Sequence, residues 1–404
     1  MDDYHLMKQQ AGITWYLDLE ASVEEAEDVA IETRPQYQPW RAYWPPKCER
    51  MMQIWLQSEF PEVLSWRFDR HLPFDRPWRT WTRSACALKD RAEGMSCRPM
   101  RDTAEYMNSL PPQSVLTQVA KASSDVDDLI RKCKLHTADP SVFHFLIPLN
   151  LYKTEKPYLS RLPSGTELPR TNIRTESQVL KVFDVSGYEP HFTLERSGFQ
   201  YAKSPIRMEH WNDSSVCSEY IPKVEAWLVK HLKCSDAFVY AYNFRGNDSV
   251  DSKRKSTKTP FLRAHCDATA ASCFKRLNLY FPDRAHNLMK KRVRFINIWR
   301  PISTPIQDCP LAMCDFRTVA PADLVSADII FPHYPDEAYE VLYNPDQRWF
   351  YKKGMDWDDV LLFKLGDNSL DEAPLCPHSA FMDPSVPKDT PSRVSIEVRS
   401  IVFG

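Results

Sequence analysis

Apolar and polar positions along this chain fall into two regimes. From residue 142 onward, short apolar or alternating runs at 143–151, 179–185, 237–244, 293–299, 360–364 and 394–403 are separated by proline and polar turns. This pattern predicts strands. One segment breaks it: at 221–234, Val224, Trp227, Leu228, His231 and Leu232 fall at i, i+3, i+4, i+7 and i+8, and Pro222 suits a first helical turn. The spacing predicts an amphipathic helix with His231 on its packed stripe. Residues 1–140 differ, combining an acidic stretch at 20–32, six tryptophans (Trp40, Trp44, Trp55, Trp66, Trp78 and Trp81) and helical spacing at Val115, Val119, Val126, Leu129 and Ile130 after Pro111-Pro112. They are expected to form an accessory region packed on a main domain at 141–404. No fixed-period repeat is present, which argues against a solenoid or propeller.

Composition sharpens the picture in three respects. The chain has 404 residues with 9 glycines against 32 prolines, a balance that favours short elements joined by stiff loops. Its formal charge is −2, so a polyanion-binding surface and nucleic acid are not expected. Eleven cysteines without tight pairing, an N-terminus lacking basic and apolar signal regions, and apolar runs well short of a bilayer span predict free thiols in a soluble, cytoplasmic protein. The polar, basic stretch 247–259 predicts a surface loop just ahead of the segment that carries the chemistry.

That segment is Arg263-Ala264-His265-Cys266-Asp267. On a strand, His265 and Asp267 would face the same side and converge on one ion. Eleven histidines and 54 acidic residues predict about 1.5 such His-x-acid triplets by chance, so the motif alone decides little. A site of two histidines and one carboxylate needs a distant histidine and leaves positions open for O2 and a co-substrate. His378, in Pro377-His378-Ser379, supplies that partner after several intervening strands. Further on, Arg393 and Ser395 share a strand face and offer a guanidinium and a hydroxyl suited to gripping a carboxylate. Arg399 lies on the same face with Glu397 between, where an internal ion pair is the simplest expectation.

The stretches AHCDAT (264–269), FINIWRPI (295–302), DCPLAMCD (308–315), YNPDQRWFY (343–351), DDVLLFKLGD (358–367), PHSAFMDP (377–384) and PSRVSIEVRSIVF (391–403) resemble the gibberellin-desaturase-like and cephem-methoxylase-like non-haem iron oxygenases over residues 140–404. The resemblance implies a mainly β fold, a double-stranded β-helix or jelly roll with flanking helices; the N-terminal extension that it does not cover is expected from its own spacing to be partly helical. It implies Fe(II), O2 and 2-oxoglutarate as cofactors and a natural-product-like small molecule as substrate. It makes His265, Asp267 and His378 the metal ligands and catalytic centre, and Arg393 and Ser395 the 2-oxoglutarate anchor, with Arg399 able to do the same job. Asn297 is expected to hydrogen-bond the oxoacid or substrate. Trp299, Arg300, Thr269, Arg276, Tyr343 and Arg348 are further pocket candidates, and a homodimer is possible.

Four other readings compete. Zinc bound through Cys309-x4-Cys314 or Cys266-x6-Cys273 lacks a second paired half. A Cys266–His265 nucleophile fails because adjacent strand residues face opposite sides. An iron enzyme that dispenses with 2-oxoglutarate, or a non-catalytic scaffold retaining the fold, stays open; the scaffold reading predicts a lost ligand, and all three positions carry ligand-type residues.

Overall fold

The computed structural model describes residues 112–404 apart from 163–168, 247–256, 259, 303–304, 332–334, 370, 384 and 388–389, and the side chains of 112–122, 139 and 257–258 are likewise outside the description. The tryptophan-rich segment and most of the 247–259 loop lie outside the described residues.

The first element is helix α1, Pro112–Cys133, whose Val126 is fully buried against the barrel among Phe192, Phe350 and Ile306. Strands follow as β1 (Thr137–Leu146), β2 (Tyr158–Ser160), β3 (Thr175–Asp184) and β4 (Phe199–Lys203), then helix α2 (Ile221–Leu232). Next come β5 (Asp236–Arg245), β6 (Thr257–Lys258), β7 (His265–Cys266), helix α3 (Ala270–Tyr280) and β8 (Val293–Pro301). The chain ends with β9 (Leu311–Cys314), β10 (Leu324–Ile330), β11 (Pro335–Val341), β12 (Trp349–Tyr351), β13 (Asp359–Asp367), β14 (His378–Ala380) and β15 (Ser395–Phe403).

These strands form two sheets, one of nine strands in the order β1-β3-β12-β9-β14-β7-β11-β10-β2 and one of six in the order β4-β13-β8-β15-β5-β6. The arrangement is a jelly roll, mainly β with flanking helices. The larger sheet curls back on itself, because His144 of β1 also bridges to Arg263 just ahead of β7. Phe143 packs inside that curl against Trp349 and Phe381 at ring separations of 5.1 and 5.5 Å.

Burial on both faces explains why β8 reads as an almost unbroken apolar run. Ile296 and Ile298 point outward into a cluster with Val224 and Leu228 of α2. Each such buried aliphatic side chain contributes about 1.5–3 kcal/mol. Asn297 and Trp299, one position out of phase, point between the sheets. The α2 helix ends with Lys233 in the left-handed region at φ 50°, a C-terminal conformation that glycine more often supplies. His231 stacks on Trp227 at 4.6 Å, in keeping with a packed helix residue.

Two local expectations change. The apolar run 143–151 is strand only as far as Leu146 and then turns into a short 3-10 segment, Asn150–Lys153. A helix not foreseen, α3, begins three residues after Asp267 and lays Cys273, Leu277 and Phe281 against Tyr240, Phe295 and Leu365, closing one end of the space between the sheets. Its N-cap is Thr269, whose hydroxyl accepts from Ser272 N–H at 3.1 Å.

Candidate metal centre

His265 and His378 are direct register partners on β7 and β14 of the larger sheet, and their ring centroids lie 4.3 Å apart. Asp267 follows β7 immediately. One donor atom from each of the three lies within 4.8 Å of the others, the one such group of metal-type ligands among the described residues. His265 Nε2 is 3.5 Å from Asp267 Oδ1, and His378 Nε2 is 3.7 Å from Asp267 Oδ2. These separations are long for hydrogen bonds and suit donors arranged around a shared point.

Backbone carbonyls set the tautomers. His265 Nδ1 donates to the Arg263 carbonyl at 2.8 Å and His378 Nδ1 to the Cys376 carbonyl at 3.1 Å. A carbonyl accepts only, so both Nδ1 atoms carry the proton and both Nε2 lone pairs face the shared point, as metal-binding imidazoles require. Burial, with His265 alongside, pushes His378 down to about 3, which keeps it neutral. Burial alone would raise Asp267, but the Arg399 guanidinium and then the two imidazoles outweigh it and hold the carboxyl well below the usual carboxylate range. Two neutral nitrogens and one ionised oxygen on one side of an ion are the donor set of non-haem Fe(II), so the residues fit that metal. Phe261 meets the His265 ring edge-on at 4.6 Å and Phe363 lies 4.6 Å from His378, lining the centre with apolar surface.

The smaller sheet supplies polar groups from its inner face. Asn297 Nδ2 donates to Asp267 Oδ2 at 2.7 Å, and Arg399 Nη2 donates to Asp267 Oδ1 at 3.1 Å. Arg399 Nε also pairs with Glu397 at 3.2 Å, the internal ion pair foreseen for that glutamate. The structure thus gives Asn297 and Arg399 a carboxylate partner within the protein where an oxoacid contact was expected.

Arg393 is different. It is buried, lies over the Trp299 ring at 5.4 Å and donates Nη1 to the Cys309 carbonyl at 2.5 Å, yet its Nε has no acceptor among the described residues. Burial draws its guanidinium down from the usual arginine value. Two residues on, at the start of β15, Ser395 is fully buried with its hydroxyl unpartnered among the described residues. A desolvated cation and an unsatisfied hydroxyl on one face are costly unless an anion completes them.

The remaining pocket candidates have structural partners. Thr269 caps α3 and donates to Glu337 at 2.6 Å, and Arg276 ion-pairs with buried Asp336. Arg300 donates to the carbonyls of Ile206 and Trp357, Tyr343 packs on Phe145, and Arg348 pairs with Asp127 of α1. Burial raises the thiols of Cys266, Cys273, Cys309 and Cys314, the reverse of what thiolate metal ligands need.

A family model described as the oxidoreductase/YMDC permease-like domain matches residues 143–403. The chain belongs to this family. Among relatives, the hydroxylase/desaturase efuI of Hormonema carpetanum is 29% identical over 269 residues, covering 61% of this chain and 90% of that protein. The Fe(II)/2-oxoglutarate-dependent dioxygenase nvfI of Aspergillus novofumigatus is 28% identical over 243 residues, 58% of this chain and 86% of the relative. A solved structure of the iron and alpha-ketoglutarate-dependent endoperoxidase NvfI superposes with a TM-score of 0.59 at 27% identity, covering 65% of this chain and 97% of that one. The chain is therefore an oxidoreductase of the Fe(II)/2-oxoglutarate-dependent hydroxylase and desaturase group, with Fe(II), 2-oxoglutarate and O2 as its cofactors and a small molecule as its substrate. Among the described residues, no helix is long and apolar enough to cross a membrane.

Proposed function

We propose that His265, Asp267 and His378 hold Fe(II), that Arg393 and Ser395 grip the distal carboxylate of 2-oxoglutarate, and that the enzyme oxidises a C–H bond of a natural-product-like molecule. The observation that carries this reading is the convergence of three donor atoms within 4.8 Å with both imidazoles fixed as Nε2 donors. Iron with 2-oxoglutarate and O2 supplies the oxidising power for hydrogen abstraction from unactivated carbon. The chain supplies orientation and dryness. Arg393 offers Nε, and Ser395 one hydroxyl, to an anion that would otherwise keep its water. Phe261 and Phe363 exclude solvent from the histidines. Side chains lining the rest of the space choose among hydroxylation, desaturation, cyclisation and rearrangement, by deciding which C–H bond is presented.

The finer resemblance, to gibberellin desaturases and cephem methoxylases, belongs to the same reading. So does a division into an oxygenase unit at 141–404 and an accessory region at 1–140, of which α1 and the first residues of β1 are described. A cytoplasmic location and a homodimer complete it, the latter tested by sedimentation of the intact chain.

The decisive experiment measures Fe(II) bound per chain under anaerobic conditions. The parent is expected to bind one ion, and His265→Ala, Asp267→Ala and His378→Ala each to lose it while keeping the parent's far-ultraviolet circular dichroism. Parent-like iron binding in all three variants would overturn the assignment.

A further inference from the structure

We propose that Arg399 and Asn297 act together as a clamp on Asp267, positioning that carboxylate toward the metal and taking no part in binding the oxoacid. The inference rests on the reading of Asp267 as a metal ligand and adds to it the two residues that orient the ligand.

The clamp is built into the strand register. Arg399 of β15 lies directly opposite Asn297 of β8, so the two side chains leave one rung of the six-stranded sheet on the same face. Both cross the interior to a residue carried by the other sheet. Each takes one carboxylate oxygen: Asn297 donates to Oδ2 at 2.7 Å and Arg399 to Oδ1 at 3.1 Å. The same two oxygens face the histidines, Oδ1 toward His265 Nε2 at 3.5 Å and Oδ2 toward His378 Nε2 at 3.7 Å. A carboxylate has about four lone-pair sites. With one site on each oxygen held by a clamp arm, the plane of the group is fixed and its other lone pairs are turned to the side where the imidazole nitrogens converge.

Each arm is braced. Asn297 is fully buried on a strand paired on both sides, and Phe363, its partner on β13, presses on the His378 ring at 4.6 Å. Arg399 is steadied through its Nε by Glu397, two residues back on the same strand. The arms also differ in kind. Asn297 is a neutral donor and sets orientation, whereas Arg399 is a cation that draws charge from the carboxylate and so alters its strength as a ligand.

The test uses Co(II), whose visible d–d bands report ligand geometry without turnover. Co(II) affinity and spectrum are measured for the parent, Asp267→Ala, Asn297→Ala, Arg399→Met and Arg399→Lys, with circular dichroism to verify folding. Removing a group that holds a metal ligand typically costs about 10–100-fold in metal affinity. Arg399→Met and Asn297→Ala are expected to lose about tenfold or more and to shift the bands. Arg399→Lys, which keeps a cation but not the fork, should recover part of the affinity with bands still displaced, and it remains informative if Arg399→Met does not fold. At saturating Fe(II), the 2-oxoglutarate affinity of these clamp variants should stay within about threefold of the parent. If Asp267→Ala binds Co(II) as the parent does, the ligand reading itself fails. If Asp267→Ala loses Co(II) while the clamp variants keep parental affinity and bands, the ligand reading stands and the clamp is refuted. A clamp variant that instead loses 2-oxoglutarate affinity with an unchanged metal spectrum also refutes it and returns that residue to the oxoacid.

Discussion

Two arginines six positions apart on one face meet opposite surroundings. At the Arg399 end of β15, the guanidinium is held between the carboxylates of Asp267 and Glu397, and the residue opposite, Asn297, is engaged on Asp267 as well. At the Arg393 end, the guanidinium is buried over Trp299 with a carbonyl as its one hydrogen-bonded partner among the described residues, which likewise leave the nearby Ser395 hydroxyl unpaired. At one end both donors, Arg399 and the Asn297 amide nitrogen, have carboxylate acceptors within the protein and only the buried Asn297 Oδ1 lacks a partner among the described residues; at the other the donors themselves, Arg393 Nε and the Ser395 hydroxyl, lack one. Residue type is the same at both ends, although Arg399 lies within β15 and Arg393 two residues before it, so the partner, brought from a distant part of the chain, decides what each arginine does.

The contrast breaks most readily at Arg393. Arg393→Leu removes the cation from a buried carboxylate partner, a loss of about 3–5 kcal/mol, and should raise the 2-oxoglutarate requirement by two to three orders of magnitude. Steady-state kinetics in 2-oxoglutarate would show it, and a shift under tenfold would place the anchor elsewhere. Ser395→Ala should act in the same direction and less strongly, because a hydrogen bond to a charged group contributes about 1.5–3 kcal/mol. Its effect should fall largely on the 2-oxoglutarate KM, and an effect confined to metal affinity would contradict the division between the two ends. The smallest change is expected outside both. Asp127→Ala removes the half-exposed partner of Arg348 that ties α1 to the barrel, and such exposed pairs contribute about 0.2–1 kcal/mol. It should lower the melting temperature slightly and leave both affinities unchanged; a change in either affinity would show that α1 reaches the site.

Strands buried on both faces, such as β8 and β13, were legible as apolar runs, and so was α2 from its heptad-like stripe. The grouping of His265, Asp267 and His378 was legible because a His-x-Asp pair and a second histidine in a β-rich context point to one face each. The helix after Asp267 was not foreseen, although Thr269 followed by Cys273, Leu277 and Phe281 carries a cap and an i, i+4, i+8 stripe. Proximity to the metal motif drew Thr269 and Arg276 toward a pocket role, whereas their partners, Glu337 and Asp336, lie more than fifty residues away in the chain. The contacts of Asn297 and Arg399 with Asp267 were hidden for the same reason. Nothing local to either residue points to Asp267, which reaches them only when the two sheets face each other.

The central claim is that the His265, Asp267 and His378 centre holds iron and that Arg393 presents 2-oxoglutarate to it. Anaerobic titration of 2-oxoglutarate into protein saturated with Fe(II), following the weak visible charge-transfer band, tests both halves in one cuvette. The parent should develop the band with one equivalent bound per chain, Arg399→Leu at nearly the same concentration, and Arg393→Leu only at concentrations a hundredfold or more higher. No band in the parent, or a greater loss in Arg399→Leu than in Arg393→Leu, would contradict the account.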